Sequence, residues 1–368
     1  MIPNLPLHRS PPMMRRSLLT LASGLALLSP AGAQVLRPVG QPYTVAPGLM
    51  GEVNKKGEGK PAEDVSGIAC APAPSGPRTC MVVDDEAAGA QFVTLDGTTL
   101  KPGAIVDIAG RKPPKAAVGA PPTTGDCTLG QGAYRELDGE AVAYAAPDFY
   151  VTGSHGCSRR GREFKLSTAL LARLHPDAAG TGASVETTYR LGDALRAADT
   201  VGPYVLKDLE PREGGKPLSG LNVEGLAVVG DTLYAGLRAP VLDGAAFLVS
   251  VPVAPLFAPG DGPLAAKPVT IPLALGPDAG IRDLTALPDG RLLVLSGPTR
   301  NGLSVPYGLF LAELPSGKVT PLGTIAPLDD DDARSKPEGI VRLGPGRVLV
   351  VFDSALNGAP REYAVAIP

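Results

Sequence analysis

The sequence predicts an all-β protein that folds as a single β-propeller of four-stranded blades. The first observation is an apolar segment with a polar residue near its start, which recurs five times, as in VEGLAVV and PEGIV. Each copy is followed by a Gly or Pro turn and further short strands, for example TLYAGL, AAFLVSVPV and KPVTIPLAL. The second observation is that only STALLARLH and GDALRAAD are compatible with a helical turn or two. Short antiparallel strands repeated in this way are typical of propellers.

The alignment of the five segments gives the blade count. The aligned polar residues are Ser66, Glu140, Glu224, Asp283 and Glu338. One aligned copy per blade predicts five blades. The interval between Glu140 and Glu224 is the longest, so a six-bladed propeller with a degenerate blade in that interval is the alternative.

The two ends of the chain complement each other. The fifth unit stops at REYAVAIP, its third strand, and therefore lacks a fourth. The segment QVLRPVGQPYTV, which begins at Gln34, belongs to no unit of its own. We expect it to supply the missing outer strand of the last blade and to close the ring, since closure removes the exposed strand edges of an open array.

Residues 1–33 have the pattern of a secretory signal peptide. Arg15 and Arg16 precede the apolar run SLLTLASGLALLSP, and the small residues AGA follow it. The run is too short for a transmembrane helix. We therefore predict a signal peptide at 1–33, a propeller domain at 34–368, and a location in the periplasm or outside the cell. A Sec-type signal is favoured, and the paired arginines make a twin-arginine signal the alternative.

The charge balance excludes two classes of partner. Without residues 1–33, which hold three of the 34 Lys and Arg and no acidic residue, 31 basic and 37 acidic side chains remain. Nucleic acids and anionic membrane surfaces attract basic proteins, so neither is an expected partner. We expect a monomer with no membrane span in its mature chain, which binds either a small anionic ligand or a periplasmic protein.

Four cysteines in an exported chain predict two disulfides. Cys70 ends one predicted strand and Cys80 begins the next, so the two lie opposite each other in a hairpin. Cys127 and Cys157 are left to pair with each other, and both fall in loops on the same side of the second blade. A metal-binding thiol cluster is the competing interpretation, but CxxC and HxxH spacings are absent from the sequence.

The aligned polar residues predict a metal site. First strands lie innermost in a propeller, so Glu140, Glu224, Asp283 and Glu338 should surround one mouth of the central channel. Carboxylates this close repel one another unless a cation, a proton or an arginine compensates their charge. Carboxylate oxygens are the ligands that Ca²⁺ prefers, so these four residues are the predicted ligands of Ca²⁺ or another divalent cation.

Three basic side chains are predicted at the same mouth, because the second strand of each blade returns to the face where the first begins. Arg238 and Arg300 suit an anionic substrate, since guanidinium groups match phosphate and carboxylate. Their alternative role is an ion pair with Glu224 and Asp283, respectively. His155 is the candidate catalytic proton carrier. The other residues predicted at second-strand ends are Asp84, Asp85, Ser296 and Asp353.

Two other roles for the carboxylates stay open. They can tie neighbouring blades together by accepting backbone N–H hydrogen bonds, which is a structural role. They can also act directly as acids and bases without a metal. Ser66 occupies the aligned place in the first unit, so the ring of carboxylates is incomplete in either case.

The hairpin NVEGLAVVGDTLYAGLRAP, together with DVSGIAC, IRDLTALPDGRLLVLSGP and PEGIV, resembles a family of secreted bacterial proteins known as domain of unknown function 3616. These segments touch most of the mature chain. The EGLA and EGI pieces are more distantly similar to esterase-like phytase and strictosidine-synthase-like propellers, in which a central channel holds a metal ion or substrate. The resemblance implies a propeller with its site at the acidic mouth. It implies no reaction, since the named family has none assigned.

Two functions follow as hypotheses. The first is a divalent-cation-dependent hydrolase of a small anionic ester, phosphoester or lactone. In it the carboxylates hold the metal, Arg238 orients the anion and metal-bound water attacks. The second is a non-catalytic periplasmic binding or assembly module that uses the same face. The sequence does not decide whether the protein is an enzyme.

Overall fold

The structure, a computed structural model, describes Met1 and the mature part of the chain with gaps. The described ranges are 34–53, 59–109, 117–123, 125–130, 134, 136–158, 162–177, 182–212, 216–300, 302–328 and 335–368. Residues 33–368 form one compact unit. The predicted signal peptide lies, apart from Met1, outside the described residues and stays a prediction.

The propeller has five blades, which confirms the predicted fold class and blade count. Before the first blade come β1 (Val35–Leu36), β2 (Thr44–Val45), β3 (Met50–Val53) and β4 (Gly59–Pro61). Blade 1 contains β5 (Val65–Cys70), β6 (Arg78–Asp84), β7 (Gly89–Asp96) and β8 (Thr99–Asp107), and β9 (Thr128–Leu129) follows it. Blade 2 contains β10 (Gly139–Ala145), β11 (Asp148–Gly153) and, after the short β12 (Glu163–Phe164), β13 (Leu171–Pro176) and β14 (Ala183–Thr188).

The remaining blades follow a hairpin of β15 (Asp208–Arg212) and β16 (Lys216–Ser219). Blade 3 contains β17 (Asn222–Val229), β18 (Thr232–Ala239), β19 (Ala246–Pro252) and β20 (Val269–Leu273). Blade 4 contains β21 (Ala279–Ala286), β22 (Leu292–Pro298), β23 (Gly308–Glu313) and β24 (Lys318–Ile325). Blade 5 contains β25 (Lys336–Gly344), β26 (Arg347–Asp353) and β27 (Arg361–Ala364).

Helices are few and short, as the lack of helical periodicity predicts. They are α1 (Arg190–Ala197), α2 (Val253–Leu256) and three 3₁₀ helices at Leu166–Ala169, Gly202–Tyr204 and Leu356–Gly358. In its described residues, the long interval between blades 2 and 3 contains α1 and the hairpin β15–β16 but no further four-stranded sheet. The structure therefore has five blades and not six.

The N-terminal segment closes the ring by crossing the outer edges of three blades. Val35–Leu36 pairs in parallel with β24 of blade 4, and Thr44–Val45 pairs in parallel with β8 of blade 1. Between them Pro38 forms an antiparallel bridge with Tyr363 of blade 5. Blade 5 therefore receives its fourth, outer element from the start of the chain, as predicted, although that element is a single bridge and not a full strand.

The core is divided into clusters that lie between neighbouring blades, because the second strand of each blade is buried on both faces. In β11, Phe149 and Val151 pack towards blade 1, whereas Tyr150 packs towards blade 3. In β26, Val348 and Val350 face blade 4 and their neighbours face blade 1. The alternation of side chains along each strand thus supplies both of the interfaces that a blade makes.

Both predicted disulfides are confirmed. Cys70 and Cys80 are directly opposite in the β5–β6 hairpin and are bonded to each other. Cys127 is bonded to Cys157, which joins the segment before β9 to the segment after β11. Disulfides are typical of exported proteins. Within the described residues no helix is long and apolar enough to cross a membrane.

Candidate functional site

Each first strand contains a β-bulge at the same place, where its register with the second strand shifts by one residue. The five bulged residues, here called the bulge ring, are Ser66, Glu140, Glu224, Arg282 and Glu338. In blade 4 the shift lies between Ile281 and Asp283. The sequence alignment, which placed Asp283 at this position, is therefore wrong by one residue. A bulge sets two residues of one strand opposite a single residue of its partner, and Asp283 is the second of the two.

The inner strands approach one another closely just beyond the bulges. A Cβ added to Gly67 would lie 3.0 Å from the Cα of Ala141 in blade 2. A Cβ added to Gly339 would lie 3.2 Å from the Cα of Gly67 in blade 1. Backbone meets backbone there, so the first strands of neighbouring blades pack tightly beside the bulged residues.

Three members of the bulge ring form a buried ionic network with Arg238. Arg238 Nη1 donates to Glu224 Oε1 at 2.6 Å, and Arg282 Nη1 lies 2.9 Å from Glu224 Oε2 as an ion pair without hydrogen-bond alignment. Arg282 Nε donates to Glu338 Oε2 at 2.6 Å, and its Nη2 contacts the other oxygen of Glu338. Two guanidinium groups thus balance two carboxylates across blades 3, 4 and 5.

Arg282 is the residue that the sequence analysis missed. Burial and the neighbouring Arg238 lower the pKa of Arg282 to about 10, so it keeps its charge at neutral pH. Burial also opposes the charge of Arg238, but the contacts with Glu224 outweigh it and raise the pKa of Arg238 above its usual value. The ion pair of Arg238 with Glu224 is the alternative role that the sequence suggested for it.

Glu140 is the exception in the bulge ring. Its carboxyl group has no ion pair and no hydrogen bond with any described residue, and it is partly exposed at the mouth. The protein nevertheless surrounds the carboxyl closely, so burial raises the pKa of Glu140 well above its usual value. The negative charges of Glu224, Asp138 and Asp85 act in the same direction. Both effects shift the equilibrium of Glu140 towards its protonated form.

Asp283 ties blade 4 to blade 5. Its Oδ1 accepts a hydrogen bond from the N–H of Leu284 at 2.7 Å, and its Oδ2 accepts one from the N–H of Ile340 in blade 5, also at 2.7 Å. Burial raises the pKa of Asp283 well above its usual value, and these two N–H groups oppose that shift. This is the blade-tying role that the sequence left open for the carboxylates.

His155 lies beside the mouth but is buried. Its Nε2 is 3.2 Å from Thr152 Oγ1, and its ring packs near Gly192 of α1. Burial, assisted by the charge of Arg196, lowers the pKa of His155 to about 3, so the ring is neutral at neutral pH. A proton carrier at neutral pH needs a pKa near 7, so the surroundings of His155 do not favour that role.

Arg300 and Ser66 complete the set of predicted residues. Arg300 is partly exposed after β22 and makes no ion pair within the described part of the chain, so it does not bond to Asp283. Ser66 is buried, and its hydroxyl donates to the carbonyl of Asp64 at 3.2 Å. Ser66 therefore contributes no charge to the ring.

A second set of residues lies at the ends of the second strands, beside the bulge ring. In each blade the residue after the bulge has a pairing partner in the second strand, and the residue of interest lies two positions after that partner. These residues, here called the exit ring, are Asp85, Ser154, Arg238, Gly297 and Asp353. In blade 4 the ring of Tyr307 fills the space beside Gly297, because a Cβ there would lie 2.5 Å from it. The bulge ring and the exit ring together form the channel mouth.

The predicted metal ligands do not converge in this arrangement. Arg282 lies between Glu224 and Glu338, and both oxygens of Asp283 accept backbone hydrogen bonds. Among the described residues no group of three or more His, Cys, Asp or Glu side chains is placed to hold a metal ion. Cation binding by Glu140, Glu224, Asp283 and Glu338 stays a prediction.

Comparison with known families gives one match. A family described as Protein of unknown function (DUF3616) matches residues 171–363, slightly more than half of the chain. This confirms the stated resemblance to that family. The distant similarity to esterase-like phytase and strictosidine-synthase-like propellers is not confirmed and stays a prediction. No curated protein matches the chain in sequence.

Several solved structures resemble the fold. An exo-β-1,3-galactanase from Phanerochaete chrysosporium is 10% identical with a TM-score of 0.44, over 91% of this chain and 67% of its own. An α-L-arabinofuranosidase from Podospora anserina is 12% identical with a TM-score of 0.45, over 91% of this chain and 98% of its own. An exo-β-1,3-galactanase from Clostridium thermocellum is 12% identical with a TM-score of 0.42, over 86% of this chain and 62% of its own. Likeness at this level does not extend to activity.

Proposed function

Since the chain belongs to the family described as Protein of unknown function (DUF3616), whose description assigns no reaction, we propose a function from the channel mouth itself. The proposed function is the hydrolysis of a small anionic ester, phosphoester or lactone by an exported propeller protein. Glu140 is the acid that protonates the leaving group, and Arg238 binds the anionic group of the substrate.

The observation that carries the proposal is the isolation of Glu140. The other charged members of the bulge ring are held in ion pairs, whereas Glu140 has no partner among the described residues and is accessible from the mouth. Arg238 and Arg282 are already paired with Glu224 and Glu338, so this network has no further basic side chain to compensate the carboxylate of Glu140. A carboxyl group that keeps its proton for this reason is suited to general acid catalysis at neutral pH.

Arg238 supports the anionic part of the proposal. Its Nη1 is occupied by Glu224 and its Nε donates to the carbonyl of Pro298 at 3.3 Å, but its Nη2 has no partner among the described residues. A guanidinium with one free nitrogen in a buried position is a strong donor to carboxylate or phosphate. Glu224 holds the planar group in place while that nitrogen binds the substrate.

Glu140 acts twice in the proposed reaction, first as an acid and then as a base. Water attacks the carbonyl carbon or the phosphorus, and the bond to the leaving oxygen breaks. Glu140 gives its proton to that oxygen, and its carboxylate then takes one proton from the attacking water. The carboxyl group is thereby restored, and the products are an acid and an alcohol.

The experiment that tests the proposal compares turnover by the wild type and Glu140→Gln on a panel of alkyl phosphates, alkyl esters that bear a carboxylate, and small lactones. We expect the wild type to hydrolyse at least one member and Glu140→Gln to lose about 10²-fold or more of that rate, since the amide cannot donate a proton as the acid does. A substrate whose leaving group needs no protonation should be affected less.

The control is Glu313→Gln, which removes an exposed carboxyl of blade 4 that is paired with Lys318. This variant should hydrolyse at the wild-type rate. Thermal melts of both variants show whether the fold is intact. If Glu140→Gln is folded and as active as the wild type, Glu140 is not the acid. If no member of a broad panel is hydrolysed, the hydrolase proposal fails.

A non-catalytic binding module is the second candidate, and the buried state of His155 favours it. That histidine is the obvious proton carrier of the mouth in the sequence, and in the structure it is neutral and enclosed. A module of this kind would bind a ligand or a periplasmic partner at the same mouth. It would show ligand-dependent stabilisation and no turnover for any ester.

Cation dependence is proposed as the alternative to a protonated Glu140, because the negative charges of Asp138 and Asp85 act on Glu140 and a bound cation would compensate them. The test is a thermal melt of metal-stripped protein with and without Ca²⁺, Mg²⁺ or Mn²⁺. An ion that binds only the native state raises the midpoint. A rise for one ion that is lost in Glu140→Gln supports a metal at the mouth, and no rise with any ion excludes one.

A further inference from the structure

Tyr307 lies at the channel mouth, in the connection between the second and third strands of blade 4. It directly precedes β23, and its carbonyl accepts a hydrogen bond from the N–H of Ile325 at 2.8 Å. Its ring packs on Gly297, the member of the exit ring that has no side chain. A Cβ on Gly297 would lie 2.5 Å from Tyr307 Cε1, so only glycine leaves room for the ring. Tyr307 thus supplies the side chain that blade 4 otherwise lacks in the exit ring.

The ring of Tyr307 lies beside the buried ionic network. The same Cβ position on Gly297 is 2.6 Å from Tyr307 Cδ1 and 3.0 Å from Arg282 Cγ, so these two side chains are direct neighbours. Arg282 in turn contacts Glu224 and Glu338. Tyr307 is therefore an uncharged side chain placed next to the charged residues of the mouth.

The hydroxyl group of Tyr307 is free to contact a ligand. It makes no hydrogen bond with any described residue, and Tyr307 is partly exposed. Arg238 Nη2 and Arg282 Nη1 are fully enclosed atoms without a hydrogen-bond partner, whereas the Tyr307 oxygen is not one of these enclosed atoms. Burial, opposed by the charges of Arg282 and Arg238, raises the pKa of Tyr307 above its usual value, so the hydroxyl keeps its proton at neutral pH. It is therefore a hydrogen-bond donor that the mouth offers to a ligand.

Glu140 lies across the mouth from Tyr307. Glu140 belongs to β10 of blade 2 and Arg282 to β21 of blade 4, and Cα atoms of these two strands lie within 8 Å of each other. Blades 2 and 4 are not neighbours in the ring, so this approach crosses the channel. Burial raises the pKa of Glu140 and the charge of Arg282 opposes that shift, as expected for side chains at the same end of the channel. The gap is short enough for one small substrate to contact Glu140 on one side and Tyr307 on the other.

We infer that Tyr307 is a second catalytic residue of the proposed hydrolysis, whose hydroxyl donates a hydrogen bond to the carbonyl or phosphoryl oxygen of the substrate. The inference rests on the proposed function and adds a residue to it. Attack by water increases the negative charge on that oxygen, and a donor that is already in position stabilises this charge. The hydroxyl keeps its proton throughout, and the proton that the leaving group receives comes from Glu140.

The test measures kcat and KM of the wild type and Tyr307→Phe on the same panel of alkyl phosphates, carboxylate-bearing alkyl esters and small lactones. The substitution keeps the ring on Gly297 and removes only the hydroxyl. We expect kcat to fall by about 10²-fold with little change in KM, because the hydrogen bond strengthens in the transition state. The thermal midpoint should stay at the wild-type value, since the hydroxyl bonds to no described residue. A tyrosine with a purely structural role would leave kcat unchanged.

The matched control is Tyr234→Phe, which makes the same chemical change on the other side of the molecule. Tyr234 is also partly exposed, and it lies in the half of β18 next to the turn at Gly230, away from the mouth. Its hydroxyl also makes no hydrogen bond with a described residue. This variant should keep the kcat, the KM and the thermal midpoint of the wild type.

Methylphosphonate gives a measurement that needs no turnover. It is not hydrolysed, and one of its oxygens can take the place of the substrate oxygen. Titration calorimetry should show that Tyr307→Phe binds methylphosphonate about tenfold more weakly than the wild type, as the loss of one hydrogen bond to a charged group implies. Tyr234→Phe should bind it as the wild type does. If methylphosphonate does not bind to the wild type, kcat alone decides.

Two results would overturn the inference. Equal kcat and equal methylphosphonate affinity in the wild type and Tyr307→Phe mean that the hydroxyl does not act on the substrate, and Glu140→Gln then decides separately whether the proposed function holds. If no member of the panel is hydrolysed, the proposed function fails and the catalytic role of Tyr307 fails with it. A loss of methylphosphonate affinity in Tyr307→Phe would in that case still place its hydroxyl at the ligand site of a binding module.

Discussion

Arg282 organises the charges of the channel mouth at the scale of single residues. It projects from the bulge of β21 and contacts both Glu224 and Glu338. Glu338 has no other ion-pair partner among the described residues, whereas Glu224 also has Arg238. The position of Glu338 in the buried interior therefore depends on Arg282.

Replacement of Arg282 by Met should destabilise the protein by about 3–5 kcal/mol, because it leaves the carboxylate of Glu338 buried and unpaired. The measurement is the free energy of unfolding from denaturant titration. The control is Lys101→Met, which breaks an exposed pair with Asp96 and should cost less than about 1 kcal/mol. The double variant Arg282→Met with Glu338→Leu should recover much of the loss. If the double variant is no more stable than Arg282→Met alone, the loss of stability does not come from an unpaired Glu338.

The sequence could not identify Arg282, for a local reason. IRDLTAL contains an arginine followed by an aspartate, and three of the other four copies carry glutamate at the aligned place. Aligning acid with acid is the natural choice, and it selects Asp283. The bulge depends on backbone geometry that the residue types do not reveal, so a shift of one position exchanges the residue in the ring for the one that ties the blades.

At the scale of secondary-structure elements, Asp283 joins two first strands. Replacement by Ala removes the acceptor of two buried N–H groups, so we expect a loss of about 2–5 kcal/mol. Asp283→Asn keeps one carbonyl acceptor and should lose less. Hydrogen exchange of the Ile340 amide gives a direct reading, since that amide should exchange faster in Asp283→Ala. Unchanged protection of Ile340 would contradict the role of Asp283 as a tie between blades.

The close approach of the first strands gives a second prediction. A methyl group on Gly339 would press against Gly67 and Val351, at 3.2 Å from the Cα of the first and 2.6 Å from a side-chain carbon of the second. Gly339→Ala should therefore destabilise by about 1–3 kcal/mol. Gly344→Ala in the same strand has open space within 4 Å and should change stability by less than about 0.5 kcal/mol. Equal thermal midpoints for the two variants would show that the strands are not so tightly packed.

The elements themselves were largely predictable from the sequence. The four strands of blades 3 and 4 follow the apolar runs, because each run is bounded by Gly, Pro or Asp turns. The hairpin disulfide was predictable because Cys70 and Cys80 flank one such turn. The position of the segment QVLRPVGQPYTV was predictable only in part. The closing role follows from the missing strand, but the passage across three blades depends on edges that form elsewhere in the chain.

At the scale of the whole molecule, the ring closes where blade 1 meets blade 5. Asp64 forms an antiparallel bridge with Asp353, and the N–H of Ala355 donates to the carbonyl of Glu63 at 3.0 Å. Lys336 pairs with Asp353 on the blade 5 side. Burial raises the pKa of Asp64 to about 7, assisted by its hydrogen bond to Asp353 and by the charges of Asp353 and Asp84.

Closure should therefore depend on pH. Asp64 holds its proton more tightly in the folded state than in the unfolded state, so its contribution to stability is fully present below about pH 4 and is lost as pH rises to about 7. The measurement is the free energy of unfolding of the wild type and of Asp64→Asn at several pH values. The difference between wild type and variant should fall with rising pH across this window. A difference that is constant or rises would mean that Asp64 is ionised in the native protein.

The location of the mouth was predictable at this scale, but its charge state was not. Five polar positions at the starts of first strands predict a ring of polar residues, and the structure has a polar residue at the bulge of each first strand. Contacts between blades decide which carboxylates are paired with an arginine. No local pattern in the sequence indicates these contacts. Glu140, Glu224 and Glu338 look alike in the sequence, and only the fold distinguishes the isolated one.

The central claim is that Glu140 is a protonated acid at the channel mouth. The most direct measurement is infrared difference spectroscopy of the wild type against Glu140→Gln across a pH series. We predict that the difference spectrum contains the carbonyl stretch of one protonated carboxyl at neutral pH and loses it only at a pH well above the usual range of a glutamate. Absence of that band from the difference spectrum at neutral pH would show that Glu140 is ionised, which would contradict its role as the acid.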